Sequence, residues 1–207
     1  MRMAMSQNGV DVKINFAREV QQATAALQST PKQLEIAGNR AIKKTMRWLQ
    51  TRIARELSQT LGLAQKVLKP RFSLKTVGKG ADQATVLWLG IAPILAEKAG
   101  NARQTKAGVS LGKRRYEGAF IASMYGYDDA VWIRAKRNNG RYNTTSKQRK
   151  ANPNSISSEL RGRFPVQHIA VDIGDQAAEI FKRFESRIPE EFRKILGQEL
   201  NYVVNHE

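Results

Sequence analysis

The strongest constraint on the fold is an apolar stripe with helical spacing in the first third of the chain. Five residues recur at intervals of three and four: Ile42, Met46, Leu49, Ile53 and Leu57. This spacing places them on one face of an α-helix, which must be buried. Thr30 suits an N-cap, proline follows at the first helical position, and Gln33 completes a capping box. We therefore predict a long helix that runs to about Gln59.

Beyond this helix the pattern indicates a run of strands followed by helices. The strand candidates are residues 71–77, 84–91, 118–124, 130–135 and 166–173. The connector 78–83 suits a hairpin loop, and 96–111 is predicted to be a loop. Asp175 is expected to cap a helix to about Arg187, and Pro189 to precede a final one. Because helices and strands are segregated, we predict an α+β fold with a long N-terminal helix, a small antiparallel sheet and C-terminal helices.

The length fits a single domain over residues 1–207, which contains an N-terminal extension and an extended basic segment. Residues 1–30 form an N-terminal extension, in which 10–14 alternate like a short strand and 16–28 form a weaker helix. Residues 137–163 are rich in Asn, Ser, Gly, Lys and Arg. This composition predicts an extended basic loop or arm that orders against a partner.

The net charge of +17 attracts polyanions or an acidic protein partner, and the sequence leaves both open. The charge is unevenly placed, at +6 in residues 1–60, +14 in residues 61–165 and −3 in residues 166–207. A basic middle and an acidic C-terminal segment are complementary between neighbouring copies. Head-to-tail contacts of that kind form a ring when the rotation closes.

Residues able to carry catalysis are few. The chain has no cysteine, which excludes disulfides and thiolate sites, and its only histidines are His168 and His206. We therefore expect no metal, no cofactor and no enzyme activity, although Asp128 and Asp129 keep a nuclease open as an alternative. Residues 1–10 lack the apolar stretch of a signal peptide, and no apolar run is long enough to span a bilayer. The chain is expected in the cytoplasm or in an assembly built there.

Basic clusters in the middle of the chain are the best candidates for a contact surface. The candidates for contacting DNA or a partner are Lys113, Arg114, Arg115, Arg137, Arg141, Lys147, Arg149 and Lys150. Lysine and arginine neutralise phosphates without reading base sequence. Tyr116 and Tyr142 lie among them, and tyrosines can stack on bases. A solvated basic surface with no ligand remains the alternative.

Residues 112–122, GKRRYEGAFIA, resemble the central signature of the minor tail protein Z family of lambda-like tailed phages and prophages. In that family a basic run leads into a Gly-Ala-Phe-Ile strand. The later Pro165-Val166 pair and the stretch RIPEEF at 187–192 resemble the family's order of features. Two departures are the loop 137–163, which is longer than the family needs, and Tyr116-Glu117, where an apolar residue and a proline are expected.

The resemblance implies a non-enzymatic virion component. Such tail-completion proteins lie at the head-proximal end of the tail, where six copies would form a ring around the DNA channel. The implied partners are other copies of the chain, tail and neck proteins such as tail terminator and head-completion proteins, and genomic DNA, with no membrane. The protein would be in the host cytoplasm during assembly and in the virion afterwards. A sequence-independent nucleic-acid-binding protein is the main alternative.

Overall fold

The computed structural model describes residues 2–6, 8–14, 30–77, 84–149 and 165–206. The chain divides into two compact units, each assembled from segments distant in sequence. Unit 1 comprises Met1–Leu57, Leu68–Ile91 and Asp175–Glu207, and unit 2 comprises Ser58–Val67 and Ala92–Gly174. The α+β prediction is confirmed, with a long N-terminal helix, antiparallel sheets and C-terminal helices. The prediction of one tail-completion-like domain over the whole chain stays a prediction.

The elements follow one another along the chain in two stretches. The first stretch contains β1 (Arg2–Ser6), β2 (Gly9–Ile14), α1 (Pro31–Leu61), α2 (Gln65–Leu68), a 3-10 turn (Lys69–Arg71), β3 (Phe72–Val77), β4 (Ala84–Gly90), β5 (Ile94–Leu95), α3 (Ala96–Ala99) and β6 (Ala102–Gln104). The second contains β7 (Gly108–Leu111), β8 (Arg114–Glu117), β9 (Ala119–Met124), β10 (Tyr127–Arg134), α4 (Ala135–Asn138), β11 (Thr144–Arg149), β12 (Val166–Val171), α5 (Gly174–Glu185) and α6 (Ile188–His206).

The long helix α1 begins with the predicted capping box. The amide of Thr30 donates to Oε1 of Gln33 at 3.1 Å, and the amide of Gln33 donates to Oγ1 of Thr30 at 3.3 Å. Four of the five residues of the apolar stripe, Met46, Leu49, Ile53 and Leu57, are fully buried. The helix runs to Leu61, two residues beyond its predicted end. The prediction of a long amphipathic helix is confirmed.

Unit 1 contains a four-stranded antiparallel sheet in the order β1-β2-β4-β3. Its second strand begins the chain's ordered core, since Val10 and Val12 are fully buried and pair with Leu89 and Leu87 of β4. Residues 2–6 and 9–14 are therefore built into the sheet, in agreement with the short strand expected at 10–14. Val10 and Val12, two positions apart, supply one buried face of β2. The predicted helix at 16–28 and the predicted loop at 78–83 lie outside the described residues.

Unit 2 contains two antiparallel sheets. One has the order β11-β12-β10-β9, with β5 also pairing with β12, and the other has the order β6-β7-β8. Ala130, Trp132 and Val166 form a buried cluster against which Phe120 and Tyr127 pack. The predicted strands around 118–124, 130–135 and 166–173 are confirmed, with β10 beginning earlier than expected.

Two predicted loops contain regular structure. The prediction that 96–111 is a loop is wrong, because α3, β6 and β7 occupy most of it. The predicted arm 137–163 is wrong at 144–149, where β11 pairs with β12 as the last strand of its sheet. Edge strands tolerate polar and lysine-containing sequences, so composition alone conceals them. Residues 150–164 lie outside the described residues.

The C-terminal helices begin close to their predicted positions. Helix α5 starts at Gly174, and Oδ1 of Asp172 accepts a hydrogen bond from the Gly174 amide at 2.8 Å. Asp172, rather than the predicted Asp175, therefore marks this helix start. Helix α6 carries Glu190 and Glu191 in its first turn, where negative charge is favourable. Among the helices that the structure describes, none combines the length and apolar character needed to cross a membrane.

Candidate functional site

The segment 112–122 connects the two sheets of unit 2. Strand β8 pairs with β7 in the three-stranded sheet, and β9 pairs with β10 in the larger one. Gly118 lies between β8 and β9 with a φ of +73°, a conformation that favours glycine. A Cβ atom at Gly118 would lie 2.9 Å from Cδ of Arg137, so the Arg137 side chain approaches this glycine closely. Arg137 is therefore positioned against the signature segment.

The three consecutive cations of this segment have different surroundings. Nη2 of Arg114 donates a hydrogen bond to the carbonyl oxygen of Leu61. Nη1 of Arg115 donates to the carbonyl oxygens of Gly112 at 2.9 Å and Arg114 at 3.1 Å. The side chains of Lys113 and Arg115 are exposed, whereas Arg114 is half-buried. Arg114 therefore serves the fold of unit 2, and Lys113 and Arg115 remain at the surface.

Arg141 is held by neighbours of the same segment. Its Nη1 lies 2.9 Å from Oε2 of Glu117, and its guanidinium lies 5.2 Å from the ring centre of Tyr142. The hydroxyl of Tyr142 accepts a hydrogen bond from the Glu117 amide at 2.9 Å. The structure thus brings Arg141 onto β8 through Glu117 and Tyr142.

The two tyrosines of the predicted contact surface pack on each other. The ring centres of Tyr116 and Tyr142 lie 5.3 Å apart in an edge-to-face arrangement. Tyr116 is only 7% exposed, and this burial raises the pKa of its hydroxyl, an effect that the charge of Arg114 partly offsets. The ring of Tyr116 is buried in the interior and is therefore not exposed for stacking on a base.

The remaining predicted contact residues lie in and after the edge strand β11. Lys147 and Arg149 belong to this strand, where the backbone of Arg149 pairs with Val166. The side chains of Lys147 and Arg149 are not among the described ones, and Lys150 lies outside the described residues. The structure therefore brings Arg137 and Arg141 to the signature segment, which itself contains Lys113, Arg114 and Arg115. The side chains of Lys147, Arg149 and Lys150 are not described.

A cleft of about 390 Å³ lies beside the signature segment in unit 2. Its lining includes the guanidinium-bearing residues Arg103 and Arg115 together with Asn101, Ser110 and Gly112. No acidic residue lines the cleft. The lining therefore suits a small anion better than a cation.

A second basic surface, which the sequence analysis did not select, lies on α1 in unit 1. We call it the basic helix face; its members, all exposed, are Lys43, Lys44, Arg47, Arg52 and Arg55. A groove of about 320 Å³ lies on this face, lined by Arg47, Trp48, Thr51, Arg52 and Arg55. The signal was present in the sequence as basic residues at helical spacing off the apolar stripe, but no consecutive run drew attention to it.

The buried ionisable pair of unit 2 joins β12 to α3. His168 is 3% exposed, and its Nε2 donates to both carboxylate oxygens of Glu97 at 3.0 Å. Its ring stacks on Trp132 at 4.5 Å between centres. Burial raises the pKa of the Glu97 carboxyl, but hydrogen bonds and the His168 charge outweigh it, so the net pKa lies below the usual 4.5. This pair therefore links β12 to α3, which is a structural role for His168.

Within the described part of the chain, no group of three or more His, Cys, Asp or Glu residues is arranged to hold a metal ion. Asp128 and Asp129 both lie in β10 with exposed side chains, and Asp129 has a φ of +46°. Comparison with protein-family models, curated proteins and solved structures found no match. Residues 112–122 and the two basic surfaces are therefore the basis for a functional proposal.

Proposed function

We propose that this chain is a structural virion protein of a tailed phage. It acts as a minor tail or tail-completion protein that forms a ring at the head-proximal end of the tail. In this role it takes part in tail assembly and head–tail joining and does not catalyse a reaction. Its partners are further copies of itself and other tail and neck proteins.

The observation that carries this proposal is the segment 112–122. Its basic run followed by a Gly-Ala-Phe-Ile strand resembles the signature of the minor tail protein Z family. The backbone of the segment is constrained at Gly118, which adopts a positive φ beside Arg137 between the strands β8 and β9 of two sheets. A resemblance at a position with such backbone and packing constraints is more informative than a resemblance in an unconstrained loop.

The charge distribution supports assembly from identical copies. Residues 61–165 carry a net charge of +14, and residues 166–207 carry −3. Glu190 is exposed in the first turn of α6, so part of the acidic segment is available to a neighbour. Attraction between a basic region and an acidic region on adjacent copies is a heterologous contact, the kind that builds a ring.

Light scattering on the purified chain, at low and high salt, tests the proposal. The expected result is a discrete assembly of six times the 23.2 kDa chain mass at low salt. Higher salt should shift the population towards smaller species, because it screens contacts between exposed charges. Electron microscopy of the low-salt species should then show rings. An open, polydisperse aggregate without rings would contradict the proposed closed assembly.

A sequence-independent nucleic-acid-binding protein is the second candidate function. The observation that favours it is the exposed basic helix face with its groove of about 320 Å³. A strictly monomeric chain that binds DNA tightly would favour this second candidate over the ring-forming role. The oligomeric state and DNA binding are therefore measured separately.

A further inference from the structure

The basic helix face gathers three exposed arginines, Arg47, Arg52 and Arg55, around one groove. Within the described residues, no ion pair or side-chain hydrogen bond engages the charged groups of Arg47, Arg52 and Arg55. Lys43 is exposed beside them, while Lys44 pairs with Glu199. Guanidiniums gathered around one groove and left uncompensated by the described residues produce a local positive potential that attracts an external anion.

The two acidic side chains of unit 1 that form ion pairs in the described structure do not pair with Arg47, Arg52 or Arg55. Glu56, which also belongs to α1, forms its ion pair with Arg183 of α5. Glu199 is 6% exposed and is bound by Lys44. The groove itself is lined by three arginines, one threonine and one tryptophan, with no carboxylate.

The size and chemistry of the face fit a regularly spaced polyanion. From Lys43 to Arg55 the helix rises about 18 Å, at roughly 1.5 Å per residue. A DNA duplex of that length carries about ten phosphate charges, at about 1.7 Å per charge. The planar guanidinium also matches a phosphate through two parallel hydrogen bonds. The phosphate spacing and the guanidinium geometry therefore favour nucleic acid as the ligand.

We propose that the basic helix face binds the phosphate backbone of duplex DNA without reading its sequence. Arg47, Arg52 and Arg55 supply the phosphate contacts. Trp48 lines the groove together with these arginines. Its ring packs edge-to-face against Phe184, with the ring centres 5.9 Å apart, and this contact holds Trp48 in place. This inference rests on the second candidate function and deepens it by naming duplex DNA as the ligand, and it holds for a ring subunit and for a monomer alike.

The test is the affinity of the full chain for a short labelled duplex of random sequence, measured by fluorescence anisotropy. The salt concentration is varied between about 0.05 M and 0.2 M, where phosphate contacts have their largest effect on affinity. The triple substitution Arg47→Gln, Arg52→Gln and Arg55→Gln should weaken binding more than about tenfold and lower the slope of log affinity against log salt by about 3. A second duplex of different sequence should bind equally well.

Two matched variants separate this surface from general charge loss and from misfolding. The triple substitution Lys98→Gln, Lys106→Gln and Lys136→Gln removes the same charge from exposed positions of unit 2 that are not among the candidate contact residues. It should lower affinity far less than the helix-face variant. Replacing Arg47, Arg52 and Arg55 with lysine keeps the charge and should retain the salt slope. Circular dichroism should show that all three variants fold.

Three outcomes would overturn the proposal. The first is equal loss of affinity in the two glutamine triples, which would indicate a diffuse effect of net charge. The second is absence of duplex binding by the wild-type chain at the lowest salt. The third is displacement of DNA from the face by polyglutamate at equal charge concentration, which would indicate an acidic protein partner. None of these outcomes depends on ring formation. A negative result for DNA binding would therefore leave the ring-forming role to be decided by light scattering.

Discussion

In unit 2 the guanidinium of Arg114 donates to the carbonyl of Leu61, and that of Arg141 pairs with Glu117. In unit 1 the guanidiniums of Arg47 and Arg52 are exposed around a groove and make no such contact with the described residues. The consecutive run at 113–115 is the more conspicuous in the sequence, yet it is the more fully used by the fold. A run of basic residues in a sequence therefore indicates potential contacts with a ligand. The contacts that each cation makes within the protein determine whether it can bind that ligand.

Secondary structure explains the difference between the two regions. Alternate residues of a strand point to opposite faces, so a run such as Arg114-Arg115 in β8 sends one side chain towards the interior. Arg114 is accordingly half-buried, and Arg115 is exposed. Residues three and four apart on a helix share a face, so Arg47 and Arg55 lie on the same side although seven residues separate them. A scattered helical pattern can thus build a denser exposed surface than a consecutive run.

The largest effect should come from the pair of Glu97 and His168 in unit 2, in which His168 is buried and the Glu97 side chain is 18% exposed. Replacing Glu97 with alanine leaves Nε2 of the 3%-exposed His168 without its acceptor. We expect the free energy of unfolding to fall by about 2 kcal/mol, the order of cost for an unsatisfied buried polar group. Urea unfolding followed by the fluorescence of Trp132, which stacks on His168, measures this loss in a background with Trp48 and Trp88 replaced by phenylalanine.

The same pair sets the direction of a pH dependence. The pKa of Glu97 is lower in the folded protein than its usual 4.5, so folding favours the deprotonated carboxyl. This contribution to stability is present above the usual pKa and is lost as the pH falls towards the folded value. The Glu97→Ala variant should therefore lose less stability than wild type on acidification. Asp128→Ala, at an exposed carboxyl of unit 2, is the control and should keep the wild-type profile; matching profiles for all three proteins would refute the role assigned to the pair.

An intermediate effect should distinguish Arg114 from Arg47. Arg114→Ala removes a charge-assisted hydrogen bond to the Leu61 carbonyl, and we expect the free energy of unfolding to fall by about 1.5 kcal/mol. Arg47→Ala should change it by no more than about 0.5 kcal/mol, because an exposed side chain without a partner is removed. Urea unfolding of both variants measures this difference in stability. DNA affinity should fall more in Arg47→Ala than in Arg114→Ala. Equal stability losses would remove the distinction between the two regions.

The elements found from sequence are those whose signals are local. Thr30 and Gln33 form the predicted capping box, and the apolar stripe of α1 is buried as its spacing requires. Strands β6 and β7 were not predicted, because segments of three or four residues are too short to show the apolar–polar alternation of a strand. Strand β11 escaped because a polar segment becomes a strand only when β12 offers its backbone.

The candidate site was less predictable because its contacts join distant positions. Arg114 meets a carbonyl 53 residues away, and Arg141 meets an acid 24 residues away. No local pattern distinguishes such an arginine from an unpaired one. The basic helix face could have been found by projecting α1 onto a helical wheel, because its exposure follows from the apolar stripe on the other side.

The smallest effect should come from the exposed pair of Arg141 and Glu117. Their side chains are 59% and 65% exposed, so water and salt screen the attraction between them. Arg141→Gln should lower the free energy of unfolding by about 0.5 kcal/mol or less, and a double-mutant cycle with Glu117→Gln should give a coupling energy of similar size. The Tyr142 hydroxyl still receives the Glu117 amide in these variants, which limits the structural change. A coupling above about 1 kcal/mol that persists at high salt would mean that surface arginines in unit 2 are as fixed as Arg114. The contrast between the regions would then rest on the helix face alone.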